Sequence, residues 1–391
     1  MAEAYIVDAV RTAGGKRGGK LKDWHPVEMA ATTLEALVSR VGIDPLAIED
    51  VIMGCVTQAG EQSFQIGRNA ILASKLPDKI PAVTIDRQCG SSQQAVQFAA
   101  QAVLSGTQDV VIAAGVESMS RVPMGLAMTL AQQNKIGSGP YTRKIFDRYN
   151  VSEIQQFTGA EMLVKKYDLN KEQLDQFALE SHRRAAIATE NGAFKAEIIS
   201  LPVTSSDGTS VLHEVDEGIR FGATIEGIRS VKLLSPFGTL TAATSSQICD
   251  GASALLVVSE RALKTHGLTP LARIHTFVVT AGDPVIMLEE PIPATQHALK
   301  KAGMRITDID LFEVNEAFAS VPLAWLKALG ADLDKLNVNG GAIALGHPLG
   351  ASGTKLMATL AHALKARRQR YGLQTMCEGG GVANVTIIES Q

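Results

Sequence analysis

Cys89 lies where a short apolar segment meets a helix, in the stretch TIDRQCGSSQQAVQFAAQAVLSG that begins at Thr84. After Cys89 the apolar residues recur at helical spacing, and Gly106 is a natural place for the helix to end. A thiol near the first turn of a helix faces unpaired N–H groups and the positive end of the helix dipole. Such a position can lower the pKa of a cysteine from about 8.5 towards neutrality. The sequence therefore predicts that Cys89 is a nucleophile.

His347 is surrounded by glycines in the segment NVNGGAIALGHPLGASG, residues 337–353. Glycines allow a backbone and a ligand to approach closely. A second helix is predicted after this segment, with its end at Gly372. His347 thus precedes one helix as Cys89 precedes the other. If two similar halves pack about a pseudo-twofold axis, both helix N-termini face one cleft, and the imidazole is the base that activates the thiol.

Cys377 ends a predicted strand and is followed by Glu378 and three glycines. The backbone N–H groups of such a glycine run, which begins at Gly379, can form a nest that binds an oxyanion. A second thiol beside this nest suits proton transfer at a carbon next to a carbonyl. Asn315 ends another predicted strand in the segment EVNEAFAS. Its amide could hold a water or a carbonyl oxygen, or it could simply form a turn.

Two parts of the chain repeat one order of elements. ALVSRVGIDPLAIEDVIMG (36–54) and ALKKAGMRITDIDLFEVNE (298–316) each have the pattern of a helix, a glycine, a loop and a short strand. This repeat predicts an α/β protein with two similar halves, which we place at 1–268 and 269–391.

Between the two repeats the sequence changes in character. Residues 119–246 are more polar and less regular, which indicates a domain inserted into the first half. Within it, Asn170 and Gln173 have the spacing of a helix capping box.

The glycine-rich stretch RTAGGKRGGK (11–20) lies outside this region and fits neither a P-loop nor a dinucleotide-binding loop. We predict a basic surface turn there.

The composition narrows the function further. The 391 residues carry a net charge of −3, which argues against nucleic acid as the main partner. No apolar run is long enough for a membrane span, and neither end of the chain has a targeting pattern, so we expect a cytoplasmic protein. The four cysteines form no C-x-x-C pair, so no metal site is expected. Cys55 and Cys249 are predicted to be reduced, buried thiols.

Four motifs, taken in this order and spacing, resemble the thiolase family: Cys89 with its helix, NEAF at 315–318, GHPLGASG at 346–353 and CEGGG at 377–381. The resemblance extends over nearly the whole chain. It implies a five-layered αβαβα fold built from two duplicated halves, with the inserted region as a loop domain that binds coenzyme A. It also implies cleavage of a 3-ketoacyl-CoA with CoA, no permanently bound cofactor, and a homodimer or homotetramer.

The resemblance also implies roles for individual residues. Cys89 matches the nucleophile that becomes acylated, His347 the residue that activates it, and Cys377 the second acid and base. Asn315, through a water, and His347 match one oxyanion hole, and the N–H groups of Cys89 and Gly379 match the other. Contacts with CoA or substrate are implied at Arg220, Ser246, Met287, Ala317 and Phe318.

Some positions depart from the usual thiolase pattern. Gln93 replaces a common leucine, and QQFTGAE (155–161) lacks the His-Met pair of short-chain acetoacetyl-CoA thiolases. These features favour a degradative enzyme for fatty or bulky, steroid-derived acyl groups. One alternative is a biosynthetic acetoacetyl-CoA thiolase. A decarboxylating ketoacyl synthase would use one cysteine with two histidines, and a non-catalytic acyl-CoA-binding protein would not need Cys89 or Cys377.

Overall fold

The computed structural model describes residues 2–137, 139–205 and 207–391. The strands within these ranges are β1 (Ala4–Thr12), β2 (Gly15–Lys16), β3 (Asp50–Gly54), β4 (Ala82–Ile85), β5 (Val110–Ser118), β6 (Ile198–Ile199), β7 (Leu201–Thr204), β8 (Ser210–His213), β9 (Cys249–Ser259), β10 (Ala272–Ala281), β11 (Leu311–Val314), β12 (Tyr371–Glu378) and β13 (Val382–Ser390). The helices are α1 (Pro26–Val41), α2 (Ile66–Ala73), α3 (Ser91–Leu104), α4 (Leu126–Gln133), α5 (Arg143–Tyr149), α6 (Gln156–Lys166), α7 (Lys171–Glu190), α8 (Ile225–Arg229), α9 (Glu260–His266), α10 (Pro291–Ala302), α11 (Ser320–Leu329), α12 (Ala342–Leu345) and α13 (Ser352–Arg367).

Four strands of the sheet have the same arrangement in both halves of the chain. In the first half their order is β3-β5-β9-β1, with β4 added at the outer edge, and in the second it is β11-β12-β13-β10. The inner strands β3 and β5 are parallel, as are β11 and β12, whereas β9 and β13 run antiparallel to their neighbours. The halves meet where β1 pairs with β10.

Apolar side chains cover both faces of each half-sheet. In β5, Val110 and Ile112 belong to the cluster that includes α1 and α2, whereas Val111 and Ala113 face the cluster that contains α3 and α13. A strand buried on both faces needs such an uninterrupted apolar run. A third cluster joins α10 and α11 to the second half-sheet. The result is the predicted five-layered αβαβα fold, with α3 and α13 in its central layer.

The predicted repeat is confirmed in detail. Helix α1 ends at Gly42 with φ 71°, and α10 ends at Gly303 with φ 68°. Each glycine supplies the left-handed conformation that closes a helix. A short 3-10 turn follows in both halves and leads into β3 in the first and β11 in the second. The same local signals therefore produce the same unit twice.

The segment between β5 and β9 contains α4 to α8 and β6 to β8. Asn170 accepts from the Gln173 backbone N–H, and the Gln173 side chain accepts from that of Asn170, so the predicted capping box is present at α7. Leu163 and Leu174 pack in the same apolar cluster as Phe318 of the second half. The inserted segment thus contacts the half to which it is not connected in sequence.

Two local predictions are wrong. Helix α13 ends before Arg368, which has φ 54°, and Gly372 lies inside β12. If residue 372 had a side chain, its Cβ would lie only 2.9 Å from side-chain atoms of Leu360. A glycine at this position therefore allows α13 to pack closely against β12. The stretch 11–20 is only partly a surface turn, because Arg11 is fully buried in β1.

Arg11 joins β1 to the inserted segment through two buried carboxylates. Its Nε donates to Glu197 at 2.7 Å, and its terminal nitrogens donate to Asp216 at 2.9 and 3.1 Å. The side chains of Arg11 and Asp216 are 0% exposed. The cation is therefore required to offset the desolvation of both acids.

Replacing Arg11 with methionine is expected to lower the free energy of unfolding by about 3–5 kcal/mol, because buried Glu197 loses its ion pair and buried Asp216 keeps only the more distant Lys355, at 3.6 Å. Urea denaturation followed by circular dichroism measures the change. The matched control is Arg143→Ala, which removes an ion pair to Asp147 whose arginine side chain is 87% exposed. We expect little or no change there. Equal stability of the Arg11 variant and the wild type would show that Arg11 is not needed to offset the desolvation of the buried carboxylates.

Candidate active site

Cys89 lies two residues before the first residue of α3, with Gly90 as the N-cap. The residue is partly accessible, yet protein surrounds its thiol closely. Burial, followed by the charge of Glu378, raises the pKa of Cys89 to about 12; Glu117 and Asp86 add to the effect. The predicted lowering of this pKa is therefore wrong. The thiol lies outside the first turn of the helix, and desolvation and acidic neighbours outweigh the dipole.

His347 is oriented by hydrogen bonds on both ring nitrogens. Its Nδ1 lies 2.5 Å from Ser352 Oγ, and Ser352 itself donates to the carbonyl of Pro348. Because the serine proton is used there, Nδ1 carries the imidazole hydrogen and Nε2 keeps its lone pair. Burial, with a smaller contribution from Lys355, lowers the pKa of His347 to about 3. The resting imidazole is thus a neutral base.

Asn315 lies beside the basic nitrogen of His347. Its Nδ2 is 3.4 Å from His347 Nε2. Its backbone N–H donates to the carbonyl of Thr375 in β12 at 3.0 Å, which fixes the residue at the ends of two strands. Among the described residues, the buried Oδ1 has no hydrogen-bond partner. This oxygen is available to a donor from a water or a substrate.

Cys377 and the glycine turn after it face the segment that carries Cys89. Burial is the largest cause that raises the pKa of Cys377 well above its ordinary value, and the neighbouring Cys89 is the second. A Cβ at Gly379 would lie 3.0 Å from side-chain atoms of Gln88, so this backbone packs against the residue before the nucleophile. The structure therefore brings together the two sulfurs and the predicted oxyanion nest.

A pocket of about 480 Å³ leads to His347. Four of the predicted CoA or substrate residues line it: Arg220, Ser246, Ala317 and Phe318. The fifth does not. Met287 is only 5% exposed and packs in the apolar cluster of the second half, where its backbone has φ 49°.

Several residues of this site are missed by sequence reasoning. Lys16 and Arg17 line the pocket although the sequence predicts only a surface turn there. A basic, glycine-rich hairpin is a weak signal for a phosphate-bearing ligand. The sequence around Lys16 and Arg17 could have been interpreted in that way. Ser352 is also missed, because a serine five residues after a histidine has no distinctive pattern. The apolar lining not predicted consists of Met119, Met124, Phe157, Leu234, Ala242, Ile248 and Leu349.

The described residues hold neither a metal-binding cluster nor a membrane-spanning helix. No group of three or more His, Cys, Asp or Glu side chains in residues 2–137, 139–205 and 207–391 is arranged to hold a metal ion. Within the same ranges, none of the helices combines the length and the apolar character needed to cross a membrane. Cys55 and Cys249 are buried free thiols, as predicted.

Comparison with known proteins places this chain among enzymes that transfer acyl groups. The thiolase N-terminal domain family matches residues 4–261, and the thiolase C-terminal domain family matches residues 268–390. The chain belongs to the thiolase family.

Individual relatives agree with this assignment over at least 94% of their own length. The chain is 52% identical to steroid 3-ketoacyl-CoA thiolase FadA6 of Mycobacterium tuberculosis, covering 100% of this chain and 94% of the relative. It is 41% identical to a 3-ketoacyl-CoA thiolase of Yersinia pestis, with both chains fully covered. Among solved structures, human mitochondrial 3-ketoacyl-CoA thiolase has a TM-score of 0.89 and Bacillus anthracis acetyl-CoA acetyltransferase one of 0.91. Each is 36% identical and matches over 100% of this chain and 99% of its own.

Proposed function

We propose that this protein is a degradative thiolase that cleaves a 3-ketoacyl-CoA with CoA and releases acetyl-CoA and a shortened acyl-CoA. One observation carries the proposal. His347 lines the pocket with Asn315 beside it, and Cys377 neighbours Cys89, although the members of each pair are remote in sequence. Membership of the thiolase family supports the same reaction.

In the first half-reaction the Cys89 sulfur attacks the 3-keto carbon, and the thiol proton moves to His347 Nε2. A base is required because a thiol with a pKa of about 12 supplies almost no thiolate near neutral pH. The N–H groups of Cys89 and Gly379 stabilise the oxyanion that forms on the attacked carbon. The carbon–carbon bond then breaks, and the electron pair becomes the enolate of acetyl-CoA.

The enolate is stabilised by the protonated Nε2 of His347 and by a water held at Asn315. Cys377 donates its proton to the enolate carbon, and acetyl-CoA leaves. In the second half-reaction the Cys377 thiolate takes the proton of the CoA thiol, whose sulfur attacks the acyl group on Cys89. His347 returns its proton to the Cys89 sulfur as the shortened acyl-CoA is released. Two half-reactions that share one covalent intermediate predict ping-pong kinetics.

The pocket also supports a role in binding CoA. Arg220, Lys16 and Arg17 place three cationic side chains at its lining, where they suit the phosphates of CoA. Ser246 donates its backbone N–H to the carbonyl of Ala317, which holds two walls of the pocket together. CoA acts as a co-substrate, and no permanently bound cofactor is required for the reaction.

We propose a bulky acyl group, including a steroid-derived one, as the substrate class. The pocket is lined by Met119, Met124, Phe157 and Leu234 near the position where the His-Met pair of short-chain enzymes is absent. A relative with 52% identity is named a steroid 3-ketoacyl-CoA thiolase.

We further propose that the chain is divided into two halves, 1–268 and 269–391, with a loop domain at 119–246. We also propose a cytoplasmic location and assembly into a homodimer or homotetramer.

A panel of substrates tests this proposal. We expect kcat/KM for a steroid-derived 3-ketoacyl-CoA to exceed that for acetoacetyl-CoA by at least about tenfold, because each additional buried methylene contributes to binding. Thiolysis is followed as loss of the 3-ketoacyl-CoA in the presence of CoA. A preference for acetoacetyl-CoA would favour the biosynthetic alternative, and no turnover of any chain length would favour an acyl-CoA-binding protein.

A further inference from the structure

Lys355 is a buried cation of α13 that the reaction described above does not use. Its side chain is 5% exposed. Its Nζ donates to the backbone carbonyl of Leu345 at 2.5 Å and to that of Gly346 at 3.3 Å. These two residues directly precede His347. The ammonium group therefore holds the backbone that leads into the proposed base.

The two carbonyls depend on Lys355 for their hydrogen bonds. They lie at the end of the short helix α12, and the last carbonyls of a helix have no partner within it. Leu345 and Gly346 are both buried. Within the described ranges, no other backbone or side-chain donor reaches either oxygen. Because buried carbonyls need a donor, the position of this backbone is coupled to the ammonium.

The chain bends sharply at Gly346, between the two carbonyls. Its φ of 80° and ψ of 160° lie in a region that is nearly confined to glycine. A Cβ at this position would also lie 2.6 Å from the Cys249 sulfur. A backbone in so rare a conformation persists only where its surroundings hold it. Lys355 does so, because it binds the carbonyls on either side of the Gly346 Cα.

Asp216 of the inserted segment is the counter-ion of Lys355. Its Oδ1 lies 3.6 Å from Lys355 Nζ, and the carboxylate also accepts from Arg11 and from the backbone N–H of Gly14. Burial by itself would raise the pKa of Asp216, but Arg11 and Lys355 together lower it. Two cations and two carboxylates balance in this buried group: Arg11, Lys355, Glu197 and Asp216.

We propose that Lys355 is a positioning residue for His347, whose ammonium group holds the bend at Leu345 and Gly346 in the geometry from which the imidazole activates Cys89. Lys355 is not among the residues that line the pocket, so it acts through His347 rather than on the substrate. Asp216 keeps the ammonium charged and ties it to the inserted segment. This inference rests on the proposed role of His347 as the base for Cys89.

Removing Lys355 would change His347 in two opposite ways. Without the hydrogen bonds the bend can move, and a displacement of about 1 Å can slow a reaction by about 100-fold. Without the charge the imidazole would become a stronger base, because burial and then Lys355 lower the pKa of His347. The direction of the change in rate shows which effect is larger. We expect the loss of position to dominate.

A double-mutant cycle of Lys355→Met and His347→Ala tests this inference. The measurement is the rate of Cys89 alkylation by iodoacetamide, read by peptide mass. Lys355→Met should slow alkylation at least about tenfold. It should have no further effect once His347 is absent, since a positioning residue acts only through the group it holds. Effects that multiply in the double variant would overturn the inference, and so would an unchanged or faster rate in Lys355→Met.

Lys355→Met is expected to fold, because methionine is similar in length and Asp216 keeps its bonds to Arg11 and Gly14. Thermal unfolding checks this. Lys355→Arg retains a cation with N–H donors and should recover most of the wild-type alkylation rate. An arginine variant as slow as the methionine variant would count against the proposed hydrogen bonds.

The matched control is Lys335→Met. Lys335 Nζ also donates to a backbone carbonyl, that of Ile309 at 2.9 Å. This variant should keep the wild-type alkylation rate. An equal loss in both methionine variants would overturn the specific role of Lys355.

The proposed function fails by a different result. Alkylation needs no acyl-CoA, so it reports on Lys355 and His347 even if Cys89 takes up no acyl group from any 3-ketoacyl-CoA. The absence of an acyl adduct would count against the proposed function. If His347→Ala were alkylated at the wild-type rate, His347 would not be the base, and Lys355 would have no reactive group to position.

Discussion

Replacing Cys89 with alanine is expected to abolish both half-reactions, with a loss of turnover on the order of 10⁴ or more. The acyl group has no other point of attachment in the proposed reaction, because Cys377 is buried and is assigned to proton transfer. Incubation with a 3-ketoacyl-CoA, followed by peptide mass analysis, should show an acyl adduct on the Cys89 peptide of the wild type and none in the variant.

A second cysteine variant controls for the loss of a buried thiol as such. Cys55 is also free and buried, and it packs in the cluster of the first half-sheet with α1 and α2. Cys55→Ala should retain acylation at Cys89. Thermal unfolding of both variants establishes that they are folded at the assay temperature. Normal turnover by Cys89→Ala would refute the covalent intermediate, and so would an adduct found only on another residue.

Replacing Cys377 with alanine is expected to separate the two chemical roles. Acylation of Cys89 from acetyl-CoA should persist at a reduced rate, because His347 and the N–H groups of the oxyanion site remain. Exchange of the α-protons of acetyl-CoA with solvent should fall by about 10²–10⁴-fold, since the group that transfers this proton is missing. Deuterium incorporation from D₂O, measured by mass spectrometry, reports the exchange.

The control for this variant is Cys249→Ala, which removes the buried thiol of β9 without touching the cysteine pair. The Cys249→Ala variant should retain both the exchange of α-protons and the acylation of Cys89. If Cys377→Ala exchanged α-protons at the wild-type rate, Cys377 would have no role as the acid and base. A loss of acylation together with exchange would instead indicate that Cys377 is needed for the nucleophilic step.

Local sequence signals predicted the elements and the chemical class. Gly42 and Gly303 end equivalent helices, the Asn170 and Gln173 capping box begins α7, and the four motifs define the family. Each signal acts over a few residues. Examples are a glycine in the left-handed conformation, a helix cap, and the regular spacing of apolar residues. Such interactions are nearly independent of the rest of the chain, so they can be read from the sequence.

Other features depend on which distant segments become neighbours. Lys16 and Arg17 approach the pocket from the first strands, whereas Met287 is drawn into the core. Gly372 ends no helix, because the close approach of α13 to β12 requires a glycine there.

The charge states of the site were decided by the tertiary structure alone. The sequence places Cys89 ahead of a helix, which predicts a lowered pKa, but the folded protein surrounds the thiol with buried surface and acidic groups that raise it. The sequence by itself thus determined which groups can react. The tertiary structure decided their protonation, because desolvation and Coulomb interactions depend on distances in space rather than along the chain.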